Sequence, residues 1–150
     1  APPKRTHQEL VMELSVVIRE HIREKGGNCK IYPAPFAVNL DREDRDWVEP
    51  DISVVCDPAK LTDRGCSGAP DLVAEIVSPS SSRMDYIIKL ALYSETGVRE
   101  YWIVDPDRGR TTVYFLERAD APVLYSFDQP IASGIFPGLV VTISDLLSGE

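Results

Sequence analysis

The sequence predicts a mixed α/β fold in which two strands run parallel and the others pair with antiparallel neighbours. Three observations predict it. From His7 to Lys25, apolar side chains at Leu10, Val11, Leu14, Val17, Ile18 and Ile22 form the i, i+3, i+4, i+7 stripe of an amphipathic helix. Short β-branched runs bounded by turn residues recur along the rest of the chain. One unit, from Leu72 through a second helix to Val104, has the order strand, helix, strand, which sets two strands parallel with a right-handed crossover.

The elements follow in order. Thr6 and Glu9 have capping-box spacing at the start of the first helix, and Gly26-Gly27 stop it. "CKIYPAPFAVNL" reads as two extended pieces broken by Pro33 and Pro35, followed by the charged turn "DREDRD". "WVEPDISVVC" reads as one strand with Pro50 near its start, and "DPAKLTDRGCSG" as a polar loop. The run around Glu75 is the next strand. "SPSSSRMD" supplies a turn and an N-cap for a helix over about Ser82 to Glu95, ended by Gly97. "REYWIVD" and "RTTVYFLER" flank the turn "DPDRG", and two further segments, "APVLYSFDQP" and "IASGIFPGLVVTISDLL", supply short strands and a closing helical turn.

At 150 residues, with 43% hydrophobic and 27% charged, the chain has the size and composition of one globular domain, residues 1–150. No apolar run approaches the roughly 18 to 20 residues of a membrane span. The opening "APPKRTHQEL" has no apolar segment of the signal-peptide kind, so a cytoplasmic location is expected. The three cysteines, Cys29, Cys56 and Cys66, lack paired-ligand zinc spacing and are read as small hydrophobes without a role. A net charge of −8 opposes broad, nonspecific binding of a polyanion unless a local basic patch or metal ions reverse the field.

The sharpest signal is Glu75, set inside the apolar strand "LVAEIV". An ionised carboxylate there must be neutralised, paired or bound to a cation. Alternation places Glu75 on one face with Asp71, Val73 and Val77. In the preceding strand Glu49, Asp51 and Ser53 share a face, so Asp51 and Glu75 can lie side by side. Two adjacent carboxylates with oxygen ligands suit Mg²⁺ or Mn²⁺. Lys89 is the one charged residue between Tyr86 and Tyr93 on a helix expected to be largely buried, and its partner is either Asp85, one turn earlier, or the carboxylate pair. A metal-activated water with a nearby ammonium is equipment for phosphodiester hydrolysis. Both histidines lie on the first helix, and the nucleophile-elbow and glycine-rich phosphate motifs are absent.

These residues resemble the PD-(D/E)XK restriction-endonuclease-like superfamily, with "EPD" at 49–51 for the first carboxylate and "EIV" at 75–77 for the second element. Val77 stands where that pattern has its lysine, and Lys89 on the following helix is the candidate replacement. The wording "PAPFAVNL", "EPDISVVCD", "GAPDLVAEIVSPSS" and "KLALYSETGVREYWIVDP" is similar, over most of the chain, to the Uma family of restriction endonucleases. The resemblance implies a restriction-endonuclease-like fold, a central mixed β-sheet flanked by helices. It further implies Asp51 and Glu75 as ligands of Mg²⁺ or Mn²⁺, Lys89 as the displaced lysine, and sometimes an acid from the first helix, here Glu13 or Glu20.

The expected function is therefore metal-dependent hydrolysis of DNA by Asp51, Glu75 and Lys89, with Asp85 in support and a homodimer expected by analogy. His7, Ser80 and Ser81 are candidate substrate contacts. Each also has a plainer reading: His7 as a solvated helix-start residue, the serines as a turn and helix cap, and Asp85 as an acid favoured by the helix dipole. The competing functional reading is an inactive nuclease-fold protein that serves as a binding or assembly module, to which the missing lysine at 77 and the acidic charge point.

Overall fold

A computed structural model describes residues 2–147. The first helix, α1, spans Arg5–Glu24 and starts ahead of His7; Lys4 is its N-cap and makes no side-chain capping bond. Thr6 and Glu9 thus lie inside the helix and form no capping box, and Glu9 instead pairs with Arg5 at 3.4 Å. The C-terminal stop is as expected. Gly26 adopts φ 67°, and the N–H groups of Lys25 and Gly27 turn back to the carbonyls of His21 and Ile22.

Strand β1 (Lys30–Pro33) follows and, past a cis Ala34–Pro35 bond, β2 (Val38–Asn39). The stretch from Trp47, read as one strand, is two: β3 (Trp47–Val48) pairs with β2, and β4 (Ile52–Val55) enters a different sheet. Pro50 between them has no N–H to donate and interrupts any continuous ladder. The polar loop also holds more structure than its composition suggested. Pro58–Lys60 forms a 3₁₀ turn capped by the Asp57 carboxylate, and β5 (Leu61–Thr62) and β6 (Gly65–Ser67) form a hairpin. Gly65 is needed there, since its φ is +138° and a Cβ would strike the Ala37 carbonyl.

Then come β7 (Leu72–Ile76), a π-helical turn at Met84–Ile88 that runs into α2 (Lys89–Thr96), β8 (Glu100–Asp105), β9 (Arg110–Phe115) and β10 (Val123–Ser126). The short pair β11 (Ile131–Ala132) and β12 (Val140–Val141) and the helix α3 (Ile143–Leu147) end the described chain. The central sheet has the order β1-β4-β7-β8-β9-β10, in which β7 and β8 are parallel and the other pairs antiparallel. A smaller sheet has the order β3-β2-β6-β5. The architecture is a mixed α/β fold with a central mixed sheet flanked by helices, as the sequence predicts.

Alternation along the strands divides the core in two. Leu72, Ala74, Ile76, Trp102 and Val104 pack with Leu10, Leu14, Ile18 and Ile22 of α1. Val73, Val77, Tyr101 and Ile103 face the other way, toward Tyr93 of α2 and Val38 and Cys66 of the small sheet. Two expectations need correction. The second helix is not largely buried: Ile87 and Ile88 are 61% and 48% exposed, and across the π turn and α2 only Asp85 and Tyr93 are buried. Cys29 and Cys56 are not idle hydrophobes but a disulfide. The antiparallel register of β1 with β4 pairs Lys30 with Val55, which carries the next residues outward, Cys29 and Cys56, to facing positions.

Candidate active site

The register of β4 against β7 pairs Ile52 with Ala74, so Asp51 and Glu75 face each other one step beyond. Each clasps the other's strand. Glu75 Oε1 accepts the Asp51 N–H at 2.9 Å, and Asp51 Oδ2 accepts the Ile76 N–H at 2.8 Å. The strand run that made Glu75 conspicuous also buries it, to 2% exposure. Its charge is met from α2: Lys89 Nζ donates to Oε2 at 2.9 Å and the Tyr93 hydroxyl donates to the same oxygen at 2.7 Å.

Lys89 also lies 3.2 Å from Asp85 Oδ1, an oxygen held by that ion pair without an accepted hydrogen bond. The other Asp85 oxygen accepts from Ser81 Oγ at 2.9 Å, and the Tyr101 hydroxyl donates to the Asp85 carbonyl at 2.9 Å, which pins the π turn from below. Asp85, Lys89 and Tyr93 follow at intervals of four, so one helical stripe carries all three groups toward Glu75. Tyr93 was missed in the sequence, although this spacing from Lys89 would have pointed to it.

Electrostatics follow from burial and crowding. Burial pushes the Glu75 carboxyl above its ordinary range, the Lys89 ammonium draws it back, and the Asp51 charge pushes it up again; the net direction is up. Burial likewise raises Asp85 against the pull of Lys89. For Lys89, burial favours the neutral amine, but Glu75 and Asp85 together outweigh it and hold the proton more tightly than in water. His7, whose Nε2 is 3.3 Å from Asp51 Oδ2, is raised by that hydrogen bond against its own partial burial.

These groups line a cleft of about 450 Å³ at the carboxyl ends of the parallel pair β7 and β8, closed on one side by the start of α1 and on another by the 78–81 turn. Clefts at this end of parallel strands are common ligand sites. Asp51, Glu75, Asp85, Lys89, His7, Ser80 and Ser81 all lie on its wall. Ser81 commits its hydroxyl to Asp85, while Ser80 sits exposed at the rim beside Ser78. Glu13 and Glu20 do not line the cleft; the α1 side chain that reaches the carboxylates is His7. Glu49, Lys4 and Asp107 also line the cleft.

The donor set bears on metal binding. Among the described residues no group of three His, Cys, Asp or Glu side chains is arranged to hold an ion. The two Glu75 donors from α2 fill Oε2, whereas Oε1 accepts one N–H and retains a lone pair, and no hydrogen bond from the described residues engages Asp51 Oδ1. Two carboxylate oxygens with the remaining positions left to water and substrate fit Mg²⁺, which keeps several waters, better than a cation that needs a full protein cage. Five carboxylates line the cleft, Glu49, Asp51, Glu75, Asp85 and Asp107, against the two ammonium groups of Lys4 and Lys89 and the His7 imidazole, which leaves it short of positive charge.

Comparison with known proteins agrees with this architecture. A crystal structure described as that of a "putative nuclease" of the DUF820 group from Anabaena variabilis superposes with a TM-score of 0.78 at 21% identity, over 99% of this chain and 83% of that one. An uncharacterised protein of Synechocystis sp. is 26% identical over 100 residues, which are 67% of this chain and 51% of that protein, so the chain spans about half the length of this curated relative. Residues 1–144 match the Uma2 family, described as "Putative restriction endonuclease". The chain belongs to the Uma2 family.

Proposed function

We propose that this chain is a metal-dependent endonuclease that hydrolyses phosphodiester bonds of DNA, with the PD-(D/E)XK lysine supplied by α2. The observation that carries the reading is the meeting of Asp51, Glu75 and Lys89 in one open cleft, with Lys89 Nζ 2.9 Å from Glu75 Oε2. Asp51 and Glu75 would hold Mg²⁺ or Mn²⁺. The chemistry such an ion supplies when bound is polarisation of the phosphoryl oxygen and acidification of a water.

The protein's own groups do the rest. Lys89 is held between Glu75 and Asp85 with its side chain 24% exposed, so its remaining proton faces the cleft, where it orients the nucleophile or stabilises charge that develops on the phosphate. Asp85 and Ser81 fix the ammonium, Tyr93 fixes Glu75, and His7 steadies Asp51. Cutting both strands of a duplex calls for two such clefts, which a two-fold pair of chains would supply. One observation favours the other reading, an inactive binding module: the arrangement of donors holds only two carboxylates open to a cation.

Calorimetric titration of Mn²⁺ into the wild type, Glu75→Gln and Lys89→Met separates the two. The nuclease reading expects saturable binding by the wild type, at least about tenfold weaker binding by Glu75→Gln, and near-normal binding by Lys89→Met with loss of plasmid cleavage. The absence of saturable binding to the wild type at millimolar metal would leave the module.

A further inference from the structure

A second cavity, of about 340 Å³, opens between the C-terminal half of α1 and the start of β1. Arg19, Arg23 and Lys30 line it over a floor of Ile22, Ile31 and Tyr32, and no acidic side chain contributes to the wall. Among the described residues none of the three cations has an ion pair, which is also true of Arg42, Lys60 and Arg64, but the cavities that those three line carry Asp41 and Glu95, and Asp44 and Asp63, in their walls. In a chain with 24 acidic and 16 basic residues, three unneutralised cations around one cavity are a local reversal of the field. Guanidinium forks and an ammonium are the donor set that suits phosphate oxygens.

The position of the cavity selects the ligand. It lies at the opposite end of β1 from the cleft, because Ala34, just past the far end of that strand, donates to the Asp51 carbonyl at 2.9 Å. The distance along the strand is about 13 Å at ~3.3 Å per residue. Along α1, Arg19 and Arg23 lie about 18 and 24 Å from His7 at ~1.5 Å per residue. A nucleic-acid strand advances ~3.4 Å per phosphate, so the two sites are about four to seven nucleotides apart. We propose that Arg19, Arg23 and Lys30 form a second phosphate site, which grips the backbone of the same nucleic-acid strand several nucleotides from the one held in the cleft. The ligand class rests on the nuclease reading; the site itself rests on the cavity and its charges. It supplies the local basic patch without which the acidic surface repels a polyanion.

The test is fluorescence anisotropy with chelator present, so that neither metal nor cleavage enters, using a labelled 20-base-pair duplex and a labelled tetranucleotide. The wild type is compared with Arg19→Gln/Arg23→Gln/Lys30→Gln and with Arg45→Gln/Arg64→Gln/Arg118→Gln, which loses the same charge elsewhere. The exposed positions of all six residues favour retention of the fold, to be checked by thermal melting. The expected result is at least tenfold weaker duplex binding by the cavity variant, with the slope of log affinity against log salt reduced by about 2 to 3. The tetranucleotide should be insensitive to it, and the control variant should lose much less. Equal losses in both variants would overturn the site, as would failure of the wild type to bind the duplex or preferential displacement by polyglutamate. Manganese titration of the same preparations is judged separately: intact binding at Glu75 in the cavity variant would show that the cleft reading survives such a failure.

Discussion

Replacement of Lys89 by Met tests whether the buried carboxylate depends on its ammonium. Methionine keeps all but the terminal atom of the side chain and removes the charge, leaving Glu75 at 2% exposure with the Tyr93 hydroxyl and the Asp51 N–H as its donors. Breaking a fully buried ion pair costs about 3 to 5 kcal/mol; the 24% exposure of the Lys89 side chain and the two surviving donors bring the expectation to about 2 to 3 kcal/mol at neutral pH. The loss should depend on pH. Without Lys89, burial raises the folded Glu75 pKa further above its unfolded value, ~4.3. A carboxyl raised on folding contributes fully below the unfolded value and loses that contribution as the pH climbs through the folded one. The gap between wild type and variant should therefore be smaller at pH 5 than at pH 8, measured by urea unfolding with far-UV circular dichroism in chelator. An equal gap at both values would mean that packing, not charge, was lost. A gap below about 0.5 kcal/mol would mean that Lys89 is a solvated surface cation, and the proposed site would lose its centre.

Further outcomes follow from the same arrangement of residues. Adding Val77→Lys to Lys89→Met should recover part of the stability lost at pH 8 in the same urea unfolding, because position 77 shares the Glu75 face about 7 Å along the strand; recovery is limited by overpacking near a residue that is 6% exposed. Tyr93 and Tyr101 hold their protons far above the ordinary ~10, chiefly through burial and then through the Glu75 charge. Their contribution is full below the unfolded pKa and falls as the pH rises beyond it. At least two of the six tyrosines should thus ionise only on alkaline unfolding, as a 295 nm step that coincides with loss of the circular dichroism signal; six smooth titrations near pH 10 in the folded protein would contradict this. Reduction of Cys29–Cys56, which closes a loop across a separation of 27 residues, should lower stability by about 3 to 4 kcal/mol on the chain-entropy account, read as a shift of the urea midpoint with dithiothreitol.

What the sequence made legible was whatever one strand or one helix face determines. The α1 stripe, the alternation that turns Glu75 away from Leu72 and Ile76, and the parallel crossover all follow from periodicities of 3.6 and 2. The facing positions of Asp51 and Glu75 followed from one added premise, that sequential strands are neighbours. The features that escaped depend on pairing between distant segments. The Cys29–Cys56 bond needs the register of β1 against β4, and the assignment of Trp47–Val48 and Ile52–Val55 to different sheets is fixed by their partners. Glu100 is the clearest case. It is as buried as Glu75 but attracted no notice, because its four donors, Trp102 Nε1, Ser133 Oγ and the N–H groups of Gly134 and Ile135, come mostly from a loop more than thirty residues away.

The contrast between the two buried carboxylates separates structure from candidate chemistry. Glu100 is enclosed by neutral donors and fastens the 133–136 loop to β8. Glu75 is met by a cation that is itself shared with a second acid, at the wall of an open cleft, beside another carboxylate whose charge works against its own. Fold stability alone gives no reason to set two acids on the one Lys89 ammonium and a third, Asp51, opposite only the His7 imidazole. The proposed cation, with a phosphate drawn in beside it, would offset that excess. The π turn is in keeping with this: such turns occur frequently at functional sites, and this one begins the stripe that delivers Asp85 and Lys89. On the proposed nuclease reading, Val77 at the expected lysine position corresponds to an ammonium moved from strand to helix, since Lys89 Nζ reaches Glu75 Oε2 at 2.9 Å from α2.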